Sequence, residues 1–282
     1  MSSRTHAWVD GVLVDAAAPA LRVTDPGFAV GDGVFTTTIV QDGRVFALDR
    51  HLHRLIGSAV RIGLPAPDAA WLRAGVHALL EADAVRDARL RVSVTPASTV
   101  VVHGLLAPPA PAARVVTLPW PRNEHGALAG IKSLSFGEWA VARRWVAARG
   151  ADEGLFLTTA GNVSEGSATN VFCVVDGALV TPPLADGCLP GIVRQLVCEL
   201  IAVREVSVPA DALGRCSEAF LTSSLRRVQP VAVLDGRTLP APGPATASVA
   251  AMVAEAVADL ADAPGREGTP PEGRGDRPPG NA

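Results

Sequence analysis

Short apolar and polar runs alternate through the first 46 positions and are broken at Asp10-Gly11, Asp32-Gly33 and Asp42-Gly43. Asp-Gly pairs between alternating runs favour tight hairpins, so the chain is predicted to begin mostly as sheet. At Asp49 the period changes. Leu52, Leu55, Ile56, Ala59 and Ile62 recur at helical spacing, with Asp49 placed to cap the helix and Gly63 to end it. A second helix is predicted from Asp68 through Leu80, followed by strands over 89–95 and 100–106. The Pro/Ala-rich stretch Pro108-Pro109-Ala110-Pro111 then reads as an extended connection. We place a domain boundary near residue 120, giving domains over 1–120 and 121–262.

Beyond the boundary, residues 115–118 read as a strand. Ser135 and Glu138 have the spacing of a capping box, which predicts a helix to Gly150 with Trp139, Ala142, Trp145 and Val146 inward. Strands follow over 155–159, 168–175 and 178–181, the last two joined at Asp176-Gly177. A helix opens at Gly191, a strand covers 219–222, and an Ala/Val-rich helix runs over about 245–260. Residues 263–282 are Pro, Gly and charge, a composition that buries no core, and are expected to be disordered.

Composition narrows the function classes. The 282 residues are 48% hydrophobic and carry a net charge of −3, enough apolar material for a large core and no cationic excess for binding a phosphate backbone. No apolar run is long enough to span a bilayer, and residues 1–20 lack a signal-peptide layout, so a cytoplasmic location is expected. Cys173, Cys188, Cys198 and Cys216 form no close pair and read as reduced thiols. His51 and His53 stand two apart on a helix and the other histidines stand alone, so no metal site is expected. Of the 25 basic residues, only Lys132 is lysine. An amine can lose its proton and form an imine where a guanidinium cannot, which makes Lys132 the candidate nucleophile.

Glu165 follows 33 residues later in Ser164-Glu165-Gly166-Ser167. Facing one cavity, the amine can hold an aldehyde cofactor as a Schiff base while the carboxylate pairs with the cofactor's ring nitrogen, the division of labour that pyridoxal phosphate requires. Taken alone, Glu165 reads rather as a turn residue between strands. For a cofactor phosphate there are two candidate cradles, the helix start at Gly191-Ile192-Val193 and the turn Thr222-Ser223-Ser224, with Arg54 as a bidentate partner. A Ser133 nucleophile beside Lys132 is the competing chemistry.

These strings resemble the fold-type IV pyridoxal-phosphate enzymes, which include branched-chain and D-amino-acid aminotransferases and 4-amino-4-deoxychorismate lyase. The similarity covers roughly residues 7–260. It is carried by Gly31-Asp32-Gly33-Val34-Phe35-Thr36-Thr37, His51-Leu52-His53-Arg54-Leu55, Gly130-Ile131-Lys132-Ser133-Leu134-Ser135, Ser164 to Phe172, Leu189 to Arg194, and Phe220 to Leu225. The resemblance implies an α+β fold, with a small N-terminal α/β domain and a larger C-terminal domain enclosing the cofactor, assembled as a homodimer. It implies that Lys132 bonds pyridoxal 5'-phosphate and shuttles protons, that Glu165 pairs with the pyridine nitrogen, and that Arg54, Ile192, Val193 and Ser224 hold the phosphate.

Two strings resemble the lyase in particular: Thr36 where many members have Glu, and the loop Pro121 to Gly130. The chain also lacks tyrosine, and Phe136 occupies the neighbourhood where transaminases commonly place one. The resemblance thus implies release of pyruvate and formation of 4-aminobenzoate, a folate precursor, with Thr37 assisting the departing group. Arg122 is a candidate for a substrate carboxylate. The alternatives are an aminotransferase of branched-chain or D-amino acids and a catalytically silent cofactor-binding protein. Val193 stands where many relatives carry a threonine, which leaves that phosphate contact to the backbone.

Overall fold

The structure is a computed structural model that describes residues 6–262. The tail expected over 263–282 lies outside the described residues. In chain order the first half runs β1 (His6–Val9), β2 (Val12–Asp15), the single turn α1 (Pro26–Ala29), β3 (Val34–Gln41), β4 (Arg44–Phe46), α2 (Leu48–Arg61), α3 (Ala69–Ala82), β5 (Ala88–Val94) and β6 (Thr99–Gly104). The second half runs β7 (Ala113–Arg122), α4 (Gly137–Ala147), β8 (Glu153–Thr158), β9 (Asn162–Gly166), β10 (Asn170–Val175), β11 (Ala178–Thr181) and α5 (Ile192–Leu200). It ends with β12 (Arg204–Glu205), β13 (Val208–Pro209), β14 (Cys216–Ser223), β15 (Arg227–Leu234), β16 (Arg237–Thr238), α6 (Pro244–Asp259) and β17 (Ala261–Asp262).

Seven strands form the first sheet in the order β17-β4-β3-β5-β6-β1-β2, every pair antiparallel. In β5 the alternation is complete: Leu90, Val92 and Val94 are buried, while Arg89, Arg91 and Ser93 face the other way. The buried row joins Val34, Val40 and Val101 against Leu52, Leu55, Leu72, Val76 and Leu79 of α2 and α3. Period two on the sheet thus meets period 3.6 on the helices, while the opposite face of β3 turns Phe35 and Ile39 away from α2 and α3. Asp68 caps α3, its Oδ1 accepting from Trp71 N at 2.7 Å.

The second sheet follows the path β12-β11-β10-β14-β15-β7-β8-β9-β13, with β16 paired to β15. Phe172 and Phe220 stack on one face of it, 4.8 Å between centroids, beneath Ile192, Leu196, Val249 and Val253 of α5 and α6. The same core takes in Ile39, Phe46 and Ala47 from the first sheet, so the two halves share buried surface.

Four details differ from the sequence reading. Asp32-Gly33 makes no hairpin: Gly33 has φ +152° just before β3, and a Cβ there would stand 2.5 Å from Val94 O. Asp49 lies inside the first turn of α2 rather than at its cap and pairs with Arg73 of α3, while left-handed Ala47 starts the helix. Ser135 caps nothing, since its hydroxyl donates to Gly31 O at 3.1 Å and α4 starts without a side-chain cap. The change of sheet falls between Gly104 and Ala113, where three prolines cannot donate ladder hydrogen bonds; residue 120 lies within β7.

Candidate active site

β3 pairs with β4 only at Val40 and Gln41, which leaves the edge of its first residues open. The segment 132–134 fills that edge. Phe35 N donates to Lys132 O at 2.9 Å and Leu134 N donates to Gly33 O at 2.8 Å, a bridge that ties the lysine of the second half to the first sheet. Lys132 is half-buried, with Nζ 4.7 Å from the Phe35 ring centroid and 5.9 Å from that of Phe136. Its pKa falls to about 8, chiefly because burial penalises the ammonium, and Arg54 and Arg91 push the same way against Glu165. A lysine so placed can shed its proton near neutrality and act as nucleophile or base.

Glu165 lies on β9, buried. Its Oε2 accepts from Leu189 N at 2.9 Å, and Oε1 is ion-paired to Arg122. Burial pushes the carboxyl up, while Arg122, the Leu189 amide and Lys132 pull it back toward the charged form. Arg122 also reaches Glu138 at 3.2 Å and lies over the Phe156 ring. Its guanidinium is therefore engaged by two carboxylates of the protein. These contacts also place it beneath Glu165.

On α2, Arg54 donates from Nη1 to Pro190 O and from Nη2 to Thr36 Oγ1, each at 3.1 Å. Desolvation lowers its pKa to about 10, so it stays cationic at neutral pH. The turn Leu189-Pro190-Gly191 joins these parts: Leu189 N goes to Glu165, Pro190 O to Arg54, and Leu189 O accepts from Asn170 Nδ2 at 2.9 Å. Only glycine fits at 191, where a Cβ would stand 2.0 Å from Asn170 Oδ1. α5 begins directly after it without a side-chain cap, so the first amides, those of Ile192 and Val193, face an open helix start. Ser224 Oγ lies 3.1 Å from His51 Nε2, and two residues earlier the buried Thr222 Oγ1 has no hydrogen-bond partner among the described residues.

Sequence reasoning missed four contributors. Asn170 and Leu189 act through the turn just described, and a strand asparagine beside a Leu-Pro-Gly turn was the available signal. Arg91 lies over the Phe35 ring at 3.7 Å, bonds Ser93 Oγ at 3.1 Å, and has no acidic partner among the described residues. Trp139 stacks on Phe136 with 4.5 Å between centroids and extends an aromatic wall that begins at Phe35.

Comparison with known proteins gives the family of the chain. Residues 33–234 match the family described as Amino-transferase class IV. The chain belongs to that family. It is 28% identical over 263 residues to a D-alanine aminotransferase of Bacillus licheniformis, covering 85% of this chain and 93% of the relative. It is also 28% identical over 296 residues to a bifunctional aminodeoxychorismate lyase / D-amino acid transaminase of Mycobacterium tuberculosis, covering 90% and 96%. Among solved structures, a hypothetical aminotransferase from Mycobacterium tuberculosis in its PLP-bound form superposes with a TM-score of 0.81 at 27% identity, covering 90% of this chain and 99% of that one. Class IV aminotransferases use pyridoxal phosphate, and the residues present fit it. An amine of lowered pKa, a buried carboxylate, a cation and an uncapped helix start lie on the segments that meet here, the set of groups an aldehyde cofactor with an anionic phosphate calls for.

Proposed function

We propose that this class IV enzyme is a 4-amino-4-deoxychorismate lyase that releases pyruvate and forms 4-aminobenzoate. In this reading Lys132 carries pyridoxal phosphate, Glu165 pairs with its ring nitrogen, and Arg54, the amides of Ile192 and Val193, and Ser224 Oγ hold the phosphate. The bound cofactor supplies an electron sink for the carbon beside the substrate's nitrogen. Lys132, as a neutral amine, would take the ring proton from that carbon. The C–O bond to the enolpyruvyl group then breaks and the ring becomes aromatic.

The observation that carries the reading is the pairing of Thr37 with Arg91 beside Lys132. Phe35 and Thr37 share one face of β3, and Thr37 is directly opposite Arg91 on β5, whose charge is felt at Lys132. Loss of an enolpyruvyl group calls for a hydroxyl to hydrogen-bond the departing oxygen and a cation for its carboxylate. Thr37 and Arg91 are a neighbouring pair of that kind, and Phe35, Phe136 and Trp139 offer an apolar wall to a planar ring. A second reading, transfer of an amino group from a branched-chain or D-amino acid, is supported by the relatives and by the two activities named for the Mycobacterium tuberculosis protein. An amino acid has no enolpyruvyl C–O bond to lose; in that reading Lys132 would move the proton off the carbon bearing the nitrogen, and a keto acid would take up the amino group.

Incubation with aminodeoxychorismate separates the two. The lyase releases pyruvate with no keto acid present, and Thr37→Ala lowers that turnover by about a hundredfold, the scale of a lost proton-handling group. A strict requirement for a keto-acid acceptor would sink the lyase reading.

A further inference from the structure

A chain of four side chains runs behind the candidate phosphate site. Arg54 Nη2 donates to Thr36 Oγ1 at 3.1 Å, Thr36 Oγ1 lies 2.7 Å from His51 Nδ1, and His51 Nε2 lies 3.1 Å from Ser224 Oγ. The first and last members are two of the groups assigned above to the phosphate, and His51, completely buried, joins them from inside the protein.

The hydrogens in this chain have one consistent arrangement. Arg54 can only donate, so Thr36 Oγ1 accepts from it. Burial, together with the charges of Arg54 and Lys132, holds the imidazole pKa well below its ordinary value, so the ring is neutral and carries one N–H. With that hydrogen on Nδ1, it would point at Thr36, and the hydroxyl hydrogen of Thr36, buried at 1% exposure, would have no acceptor among the described residues. The nitrogen Nε2 would then accept the Ser224 hydrogen and take it away from any ligand. With the hydrogen on Nε2, Thr36 donates to Nδ1, the ring donates to Ser224 Oγ, and the Ser224 hydrogen is left for an outside acceptor. A phosphate dianion offers only acceptors, so the second arrangement alone satisfies every group.

We propose that His51 is a positioning residue, with its proton fixed on Nε2 by Thr36, that turns the Ser224 hydroxyl into a donor to the cofactor phosphate. The inference rests on the phosphate assignment made above. It also explains what Thr36 does, since a neutral hydroxyl at this place serves the relay without supplying a carboxylate that would compete with the phosphate for Arg54.

Nitrogen-15 NMR of the histidine rings in the pyridoxal-phosphate-loaded protein tests the proton's place, with His51 assigned through His51→Gln. Nε2 protonated and Nδ1 bare is expected; a proton on Nδ1, or on both nitrogens, overturns the relay. The second arm titrates apoprotein with pyridoxal phosphate and reads affinity and the phosphorus-31 resonance. Loss of a hydrogen bond to a charged group corresponds to about tenfold in affinity, so Ser224→Ala and His51→Phe each weaken binding about tenfold and move the resonance alike. The double variant is no weaker than Ser224→Ala, and His51→Gln, whose amide donates to Ser224, recovers most of the loss. If Ser224→Ala leaves affinity unchanged, the phosphate assignment itself falls. If Ser224→Ala weakens binding but the His51→Phe loss multiplies with it, the relay alone falls. If His51→Phe does not fold, the nitrogen-15 result in the wild-type protein still decides.

Discussion

Arg122 and Glu165 show how one contact changes a residue's meaning. A guanidinium in a loop ahead of the lysine reads from sequence as a substrate anchor, yet the fold sets it against a carboxylate whose protonation it opposes. The consequence is measurable in pH. Burial raises the Glu165 pKa and Arg122 opposes that rise, so Arg122→Gln leaves desolvation less opposed and the carboxyl protonates at higher pH. A group with a raised pKa loses its charge as pH falls through that value, so the acid limb of kcat moves to higher pH in the variant. A substrate anchor would instead raise KM and leave the limb in place. Lys132 stood out in the sequence for a different reason: where the other Lys/Arg positions are all arginine, the one amine is the candidate for chemistry that arginine cannot perform, and the fold gives it a half-buried place with a lowered pKa. Arg91 gave no such mark, because nothing in a strand's alternation separates an arginine over an aromatic ring from one in solvent.

At the scale of elements, periodicity located the helices and most strands, and end chemistry was the weaker guide. Asp68, the predicted opening of the second helix, caps α3, whereas Ser135, which with Glu138 has the capping-box spacing, is diverted to Gly31 O because the lysine segment is bridged to β3. Long-range pairing overrode a local motif there. The strand β9 also escaped the reading, since Asn162-Val163-Ser164-Glu165-Gly166 alternates poorly and is a strand by virtue of its neighbours β8 and β13. What holds its far end is Glu153 of β8, 1% exposed, which receives the Ser167 hydroxyl, Thr169 Oγ1 at 3.4 Å and Arg226 Nη1 at 3.1 Å. Arg226 lies two residues beyond Ser224, so this ion pair also ties the turn that carries it. Glu153→Ala takes the acceptor from the buried Ser167 and Thr169 hydroxyls and is expected to cost about 1–3 kcal/mol, the range for a buried group left unsatisfied. Equilibrium urea unfolding measures it, and a loss under about 1 kcal/mol, the range of an exposed pair, would show that solvent already screens the interaction.

Across the whole molecule, the site belongs to neither sheet alone. The lysine segment is stitched to β3, Arg54 reaches Pro190, Arg50 of α2 pairs with Glu199 of α5 at 2.7 Å, and β17 returns from the end of α6 to pair with β4. A core shared by Ile39, Phe46, Ile192, Leu196 and Val253 lies beneath these contacts. This joint was not legible in the sequence, because strand order and the partner of a distant segment leave no periodic trace. A ligand seated at such a joint is bound only while both halves are folded, so its free energy stabilises them together. Pyridoxal phosphate at about a hundredfold excess over Kd contributes about 2.7 kcal/mol. At about 2 °C per kcal/mol for a chain of this size, that raises Tm by about 5 °C. Tryptophan fluorescence and cofactor absorbance should follow one shared transition, with Tm rising further as cofactor concentration increases. Two separated transitions, only one of them moved by the cofactor, would mean that the shared core does not couple the halves and that the site is carried by one of them.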